Sequence, residues 1–326
     1  MAEKLDVLHI EPLRYNAETR AALLPYCAVD YLDVNTQGEL LLAIRKKPYE
    51  ALFVKLGVSI DRSVFEAAPE LQFIVTPTTG LDHIDLEEAE KRGIQVISLK
   101  GEVDFLRDIK STAEHTWAIL LALLRKIPAA CSDVCEGHWR REPFLGTELN
   151  GKTLGIIGYG RLGTIVAGYG QAFHMRVIVN DTDEDKLAHL APGLEPSNLD
   201  YLLRESDIIS LHIPSDSRNY HFLNQDKADR MKKGVVLINT ARGEVVDGQV
   251  LLQALEKGQI AAAAIDVIEG DSSWDQGIPE EQALVEYARR HDNLLITPHI
   301  GGYALESIEG TRAFVVDKFL NAINGI

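Results

Sequence analysis

Cysteine is scarce in this sequence, with three residues in a chain of 326. Cys27 stands alone, and Cys131 and Cys135 lie one helical turn apart without the further Cys or His spacing that a zinc site shows. We therefore expect reduced thiols rather than a disulfide framework, and no bound metal.

Long hydrophobic runs are also missing. The longest apolar run, residues 117–124, is too short to span a bilayer, and the N-terminus lacks the apolar core of a signal peptide. We therefore expect a cytoplasmic protein without a membrane partner.

Basic residues are outnumbered, since 33 Lys and Arg stand against 49 Asp and Glu and give a formal net charge of −16. Nucleic acids and anionic membranes bind through clustered basic side chains, so neither is expected as the main partner. The rest of the composition, 46% hydrophobic and 25% charged, is ordinary for a globular chain, and the length allows two domains.

A glycine-rich turn is the most informative motif that is present. The apolar run 154–158 leads into Gly158-Tyr159-Gly160-Arg161-Leu162-Gly163, and a helix-like pattern continues to about residue 173. In a strand–turn–helix of this kind the first glycine permits the tight turn, the second lets the backbone approach a pyrophosphate, and the third lets the helix lie near the strand. Alone the motif is weak, because glycine-rich turns serve many folds.

The next predicted strand strengthens the signal. Residues 176–180 lead to Asp181, eighteen residues after Gly163, where a carboxylate can accept hydrogen bonds from both ribose hydroxyls. No Arg or Lys comes before Lys186 to receive a 2′-phosphate. The combination predicts NAD rather than NADP as the cofactor.

Alternating apolar runs and helix-like segments predict an α/β fold of two doubly wound parallel-sheet domains with a cleft between them. Residues 1–105 and about 301–326, the latter a helix, are expected to form a discontinuous, flavodoxin-like substrate domain, and residues 106–300 a Rossmann NAD-binding domain. The predicted strands are 6–11, 51–55, 71–76 and 95–98 in the first, and 154–158, 176–180, 207–213, 235–240, 260–266 and 293–298 in the second. The helix at 110–127 is expected to be buried and capped by Ser111 or Thr112.

Candidate catalytic side chains follow the predicted strands of the second domain. Arg242 follows the fourth strand and His299 the sixth, while Asp266, Glu269 and Asp271 follow the fifth. An Arg can clamp a carboxylate by two parallel hydrogen bonds, and a His can exchange a proton near pH 7. Singly, a salt-bridged Arg and a satisfied His are the commoner explanations, but hydride transfer to a 2-keto acid needs a cation, a proton donor and an anion together with a nicotinamide.

Several stretches match one known family. They are 113–115 (AEH), 148–158 (ELNGKTLGIIG), 206–214 (SDIISLHIP), 231–234 (MKKG), 238–243 (INTARG) and 297–299 (TPH). Over nearly its whole length the sequence resembles the D-isomer-specific 2-hydroxyacid dehydrogenases. The resemblance implies an NAD-dependent enzyme acting on a small 2-hydroxy or 2-keto acid, and we expect a homodimer.

The same resemblance assigns the catalytic set. Arg242 would orient the substrate, and His299 would donate a proton in reduction and accept one in oxidation. The acid that pairs with the imidazole is usually a Glu five residues beyond the Asp that closes the fifth strand, and that position here is Asp271. We favour Asp271, although Glu269, two residues earlier, is the alternative.

Cofactor contacts follow from the glycine turn and the resemblance together. Asp266 resembles the residue beside the nicotinamide amide. The full set of candidate cofactor residues is Thr112, Gly158, Gly160, Arg161, Leu162, Gly163, Asp181, His212, Pro214, Thr240, Ala241, Arg242, Asp266, His299 and Gly301.

Substrate contacts are expected from the first domain as well as from Arg242. The loop 78–85 resembles the family loop whose backbone N–H groups hold the substrate carboxylate, which makes Thr79 and Gly80 candidates. Lys55 is a candidate for a distal anionic group, but a solvated surface Lys is equally compatible with the sequence. His83 and Asp85 in this loop could suggest a metal, yet the family loop needs none.

Two matters stay open in the sequence. An NAD(H)-sensing binding protein, similar to the transcriptional corepressors of this fold, is the alternative to an enzyme. The identity of the 2-hydroxy acid is not given by the sequence either. The long segment 272–292 is a candidate for shaping the entrance to the site, with Trp274 as a wall, but Trp274 packed on the domain surface is at least equally compatible with the sequence.

Overall fold

The computed structural model describes residues 4–271 and 283–325, which form two compact units. Within these residues the first unit comprises 4–108 and 304–325, and the second comprises 109–271 and 283–303. The sequence placed the corresponding boundaries about three residues earlier. Trp274 and most of the segment around it lie outside the described residues.

The first unit is built on a five-stranded parallel sheet. Its strands are β1 (Leu5–His9), β2 (Cys27–Tyr31), β3 (Ala51–Phe53), β4 (Phe73–Val75) and β5 (Gln95–Ile97). The order β2-β1-β3-β4-β5 is the flavodoxin-like order, in which consecutive parallel strands need helical crossovers.

The sequence missed β2. This strand lies at the edge of the sheet, and only Cys27 among its residues is buried. An edge strand with polar and half-exposed positions lacks the continuous apolar run that marks the inner strands.

Short helices connect these strands. They are α1 (Ala17–Leu23), α2 (Gln37–Ile44), α3 (Arg62–Ala67), α4 (Leu86–Lys91) and α5 (Val103–Leu106). Side-chain caps fix where several begin: Asn16, Asp61 and Asp85 each accept a backbone N–H, and Thr36 with Glu39 forms a reciprocal capping box before α2.

The second unit contains a seven-stranded parallel sheet. Its strands are β6 (Thr153–Ile157), β7 (Arg176–Asn180), β8 (Leu194–Pro196), β9 (Ile208–Leu211), β10 (Val235–Asn239), β11 (Ile260–Ile265) and β12 (Leu294–Ile296). Their order, β12-β11-β10-β9-β6-β7-β8, is the doubly wound Rossmann order with one added strand. The predicted fold class is therefore confirmed, with β8, a short and largely exposed edge strand ending in Pro196, as the strand that the sequence missed.

Apolar side chains cover both faces of the second sheet. Leu237 belongs to one buried cluster, while its neighbours Val236 and Ile238 belong to another. Because successive side chains of a strand point to opposite faces, the two clusters are the cores above and below the sheet.

The helices of the second unit are α6 (Ser111–Leu124), α7 (Ile127–Cys135), α8 (Arg161–Ala172), α9 (Glu184–Ala188), α10 (Leu199–Glu205), α11 (Gln225–Arg230), α12 (Gly248–Glu256) and α13 (Ala283–Ala288). The predicted buried helix is α6, but its predicted cap was wrong. Lys110 occupies the N-cap without a side-chain bond, and Ser111 is the first helical residue. Lys126, in a left-handed conformation with φ 53°, separates α6 from α7.

The final helix, α14 (Leu305–Asn324), packs on the first unit. The ring of Phe319 lies edge-on to Phe53 and Phe73, with centroids 5.2 Å and 5.6 Å away. Arg312 donates to both oxygens of Glu11 at 2.7 Å and 2.8 Å. Among the described residues, no helix combines the length and apolar character that crossing a membrane requires.

Candidate active site

The glycine turn after β6 is tightly constrained at two of its three glycines. Gly158 has φ +96°, and a Cβ there would lie 2.5 Å from the carbonyl oxygen of His212. A Cβ on Gly163 would collide with the carbonyl oxygen of Gly158, whereas one on Gly160 would meet no described atom within 4 Å. Gly160 is also the N-cap of the twelve-residue α8, so the helix N-terminus is approachable at the turn.

Asp181 follows β7 and is tied to this turn. Its Oδ2 accepts from the backbone N–H of Tyr159 at 2.7 Å, and its Oδ1 accepts from that of Asp183 at 2.9 Å. Burial alone would raise the pKa of Asp181, but these hydrogen bonds and Lys186 outweigh it and hold the pKa below its usual value. The carboxylate is therefore charged at neutral pH and suits a ribose diol, and the turn and Asp181 together fit a dinucleotide.

Lys186 is closer to Asp181 than the sequence suggested. Its Nζ lies 3.5 Å from Asp181 Oδ2 and 3.7 Å from Asp183 Oδ2, because the first turn of α9 brings it back beside the end of β7. Its position as the first basic residue after Asp181 was the available signal. The carboxylate that faces the ribose site therefore has an ammonium group next to it.

The other candidate cofactor residues of the glycine turn and of β9 are held by the protein itself. Arg161 donates to the carbonyl of Ile109 at 2.7 Å, and Leu162 packs on the core cluster. His212 bonds Ser210 Oγ through Nε2 at 2.8 Å, and partial burial of the residue lowers its pKa to about 4, so its imidazole is neutral.

Thr112 lies in α6 and Thr240 directly follows β10, whereas Pro214 follows β9. Thr240 Oγ1 is 2.8 Å from Thr116 Oγ1, which in turn donates to the carbonyl of Thr112 at 2.7 Å. Pro214 accepts from the side-chain amide of Asn219 at 3.0 Å. These bonds fix the backbone around the candidate positions.

Arg242 follows β10, and its backbone is fixed by the buried Asn239. The Asn239 side chain accepts from the backbone N–H of Ala241 at 3.0 Å and donates to the carbonyl of Arg242 at 2.8 Å. Arg242 Nη1 donates to the carbonyl of Ala241 at 2.7 Å. The sequence reasoning did not single out Asn239, although it stands inside the matched stretch.

Asp266, at the end of β11, is 2% exposed and organises the turn after β12. Its Oδ1 accepts from Thr297 Oγ1 at 2.5 Å and from the backbone N–H of Ile300 at 2.9 Å, and its Oδ2 accepts from that of Gly301 at 2.7 Å. His115 Nε2, from α6, lies 3.2 Å from Oδ1. The sequence reasoning predicted a cofactor contact for Asp266 and did not find this network.

His299 lies in the turn that follows β12. Its Nδ1 is 3.0 Å from Asp271 Oδ2, and both side chains are 23% exposed. The alternative acid, Glu269, accepts from Tyr220 Oη at 2.8 Å and from His221 Nε2 at 3.0 Å. The hydrogen bond from His221, with that from Tyr220, holds the pKa of Glu269 below its usual value.

Arg242, Asp271 and His299 thus follow three strands that are neighbours in one sheet, β10, β11 and β12. A Cβ on Gly243 would collide with the backbone of Ile268 and Glu269, so the turns after β10 and β11 are in direct contact. The carboxyl ends of neighbouring parallel strands are where open α/β sheets bind ligands. The arrangement can supply a carboxylate-binding cation and a proton-exchanging imidazole paired with an acid.

The candidate residues of the first unit lie after β3 and β4. Lys55 Nζ is 2.5 Å from Asn35 Oδ1 and 3.3 Å from Asp33 Oδ1, and its side chain is 16% exposed, so it is not a solvated surface Lys. In the predicted substrate loop, Thr79 is exposed, and the carbonyl of Gly80 accepts from Thr78 Oγ1 at 2.8 Å.

Residues considered for metal binding have other partners. Asp85 caps α4 by accepting from Glu88 at 2.9 Å, and His83 Nε2 lies 3.4 Å from Thr76 Oγ1. Within the described residues one group, Asp133, Glu136 and His138, brings together potential ligand atoms, but the Arg140 guanidinium pairs with both oxygens of Asp133. Cys27 is buried, Cys131 and Cys135 are exposed, and all three are free thiols.

The chain is similar to known proteins over most of its length. The family described as D-isomer specific 2-hydroxyacid dehydrogenase, NAD binding domain, matches residues 117–301. A glyoxylate reductase of Thermofilum pendens is 38% identical over 295 residues, covering 89% of this chain and 82% of the relative. A D-3-phosphoglycerate dehydrogenase of Archaeoglobus fulgidus is 34% identical over 309 residues, covering 92% of this chain and 56% of the relative. A solved D-lactate dehydrogenase from Aquifex aeolicus, complexed with NAD and lactic acid, superimposes with a TM-score of 0.83 at 31% identity, covering 98% of this chain and 96% of that one.

Proposed function

Since the chain belongs to the D-isomer-specific 2-hydroxyacid dehydrogenase family and binds NAD, we propose that it transfers hydride between NADH and a small 2-keto acid, forming the D-2-hydroxy acid. The family membership and the cofactor confirm what the sequence indicated. The proposal concerns the substrate and the residues that act on it.

The observation that carries the proposal is the pairing of His299 with Asp271. Asp271 follows β11, which is the neighbour of β10, the strand that precedes Arg242. The pair places a carboxylate at Nδ1 of the imidazole, which orients the ring, and we assign to Nε2 the exchange of a proton with the substrate oxygen. Arg242 binds the substrate carboxylate through its planar guanidinium.

The nicotinamide supplies or receives the hydride when NAD is bound. The protein holds the cofactor through the glycine turn and the carboxylate of Asp181, with the helix N-terminus of α8 favouring the pyrophosphate charge. In reduction, His299 gives its proton to the keto oxygen while Asp271 stays ionised. In oxidation, the neutral imidazole accepts the hydroxyl proton.

Glyoxylate is the first substrate to test, because relatives that carry the name glyoxylate reductase include the one at 38% identity. The name D-lactate dehydrogenase on the solved relative makes pyruvate the second. We also propose Lys55, Thr79 and Gly80 as substrate contacts from the first unit. We also propose that the protein is cytoplasmic and that it forms a homodimer.

The test is a screen of 2-keto acids with NADH, in which turnover is measured as the loss of absorbance at the nicotinamide band. Glyoxylate gives an achiral product, so the D-isomer claim is checked by chiral separation of the lactate formed from pyruvate. We expect turnover with at least one keto acid and the D-product, and His299→Ala should lower the rate by about 10²–10⁴. NADH binding without turnover of any acid would instead favour the cofactor-sensing binding protein.

A further inference from the structure

His299 has an unusual backbone conformation for a residue with a side chain. Its φ is +54°, in the left-handed region that residues other than glycine rarely adopt. Such a conformation costs on the order of 1–3 kcal/mol and persists only where the surrounding structure holds it. Something must therefore fix the turn after β12.

One residue accepts hydrogen bonds from three consecutive backbone N–H groups of this turn. The backbone N–H groups of His299, Ile300 and Gly301 donate to Asp266, at its carbonyl oxygen (2.8 Å), its Oδ1 (2.9 Å) and its Oδ2 (2.7 Å). The close approach of Asp266 to this turn also favours glycine at position 301, since a Cβ on Gly301 would lie 2.9 Å from Asp266 Oδ2. The Asp266 carboxylate is thus turned toward the backbone that carries His299.

The buried carboxylate needs partners of its own to stay ionised and oriented. His115 Nε2 lies 3.2 Å from Asp266 Oδ1 and 3.0 Å from Thr297 Oγ1, and Thr297 Oγ1 donates to the same Oδ1. Burial alone would raise the pKa of Asp266, but the bonds from His115, Thr297 and the two amides outweigh it and hold the pKa below its usual value. His115 lies on α6, whose buried side packs on the sheet core, so it is a rigid point of attachment.

We propose that His115 is a positioning residue for His299, acting through the carboxylate of Asp266, which clamps the strained turn and sets the imidazole against Asp271. This inference rests on the proposed role of His299 as the proton donor. It gives Asp266 a task beyond the expected contact with the nicotinamide amide, and it explains why a histidine stands at this point of α6.

The first experiment separates positioning from cofactor binding. His115→Ala should lower kcat for reduction about tenfold or more, because a misplaced donor weakens the transition state without weakening the ground-state complex. NADH affinity, measured by fluorescence, should stay within about twofold. His115→Gln, whose amide nitrogen can occupy the place of Nε2, should recover kcat to within about threefold of the parent. The neighbouring exposed residue provides the matched control, since Glu114→Ala should change neither quantity by more than about twofold.

The second experiment is a double-mutant cycle with His299→Ala. If His115 acts through His299, then His115→Ala should cost less than about twofold in the His299→Ala background, because no donor remains to be positioned. An equal cost in both backgrounds would overturn the inference while leaving the proposed function intact. Unchanged turnover in His299→Ala would instead overturn the proposed function.

A third variant keeps the proposal testable if His115→Ala does not fold. Thr297→Val removes the other side-chain donor to Asp266 Oδ1 with little change in volume, and it should show the same loss of kcat with retained NADH affinity. A parallel loss of NADH affinity and kcat in the folded variants would show that the network serves the cofactor alone, and the inference would be wrong.

Discussion

The imidazole of His299 and the carboxylate of Asp271 meet at 3.0 Å although 28 residues separate them in the chain. They meet because β11 and β12 are neighbours and each residue follows the end of its strand. Aspartate closes the distance here with a side chain one methylene shorter than the glutamate usual in the family. The turn after β11 is therefore the part of the fold that determines how the Asp271 carboxylate reaches the His299 imidazole.

Asp271→Asn should slow the reduction of the keto acid. The amide keeps the shape of the side chain but removes the negative charge beside the imidazole, and it can also hold the ring in the wrong tautomer. We expect kcat/KM for the keto acid to fall at least tenfold, equivalent to about 1.4 kcal/mol. Steady-state rates with saturating NADH would measure this loss.

Glu269→Gln is the matched control for that experiment, since Glu269 lies two residues away and accepts hydrogen bonds from Tyr220 and His221. Its kcat/KM should stay close to that of the parent. A loss of kcat/KM in Glu269→Gln without one in Asp271→Asn would show that the acid had been assigned to the wrong residue. If neither variant loses activity, the imidazole works without a carboxylate partner.

Arg242→Lys should keep the fold and NADH binding but lose most turnover. The turn that carries Arg242 is fixed by backbone bonds to Asn239, so the substitution leaves it in place. An ammonium group cannot reproduce the two parallel bonds of a guanidinium to a carboxylate. We expect kcat/KM to fall at least tenfold, equivalent to about 1.4 kcal/mol. If kcat/KM of Arg242→Lys stays within about twofold of the parent value, Arg242 does not contact the substrate.

The sequence was sufficient wherever an inner strand ended in a chemically distinctive residue. Continuous apolar runs located β6, β10 and β11, so Asp266 and Arg242 were placed after their strands correctly. Prediction from the sequence failed at the edge strands β2 and β8, because their polar and exposed residues interrupt the apolar pattern that identifies a strand. It also failed for contacts between distant segments, such as His115 with Asp266 and Tyr220 with Glu269, because residue spacing does not reveal which turns lie side by side.

Asp181→Ala should weaken NADH binding and narrow the preference for NADH over NADPH. The carboxylate accepts ribose hydroxyls and repels a 2′-phosphate, so its removal takes away both effects. Lys186, 3.5 Å from Asp181 in the parent, would then face the 2′-phosphate without a competing anion at that position. The dissociation constants of NADH and NADPH would give the ratio of the two affinities. The double variant that combines Asp181→Ala with Lys186→Ala should lose the gain in NADPH affinity. Equal affinity of the unaltered protein for both cofactors would contradict the role of Asp181.

His9 provides a prediction about stability rather than activity. The side chain is fully buried in the first unit, stacked on Phe53 with ring centroids 5.0 Å apart and edge-on to Tyr15 at 4.2 Å. Its Nδ1 accepts from the backbone N–H of Glu11 at 3.2 Å. Burial lowers the pKa of His9 to about 3, from an ordinary value of 6.5.

The sign of the effect follows from these two values. Between pH 6.5 and 3 the unfolded chain binds a proton at this histidine and the folded chain does not, so acid favours unfolding. The stability that His9 contributes is complete above pH 6.5 and is lost as pH falls, by about 1.4 kcal/mol per pH unit. His9→Phe keeps an aromatic ring against Phe53 and cannot be protonated. Its free energy of unfolding should therefore fall less steeply between pH 6 and 4, by about 1.4 kcal/mol per unit relative to the parent, in urea unfolding followed by circular dichroism.

The comparison of slopes removes the cost of the substitution itself. His9→Phe loses the acceptor for the N–H of Glu11 and destabilises the protein at every pH, but a constant loss leaves the slope unchanged. His212, whose pKa is lowered to about 4, adds its own acid-dependent loss equally in parent and variant, so it cancels in the difference. His189→Asn, at an exposed position, should keep the parent's slope. If His9→Phe also keeps it, His9 is protonated in the folded protein at these pH values, and its burial is compensated by the groups around it.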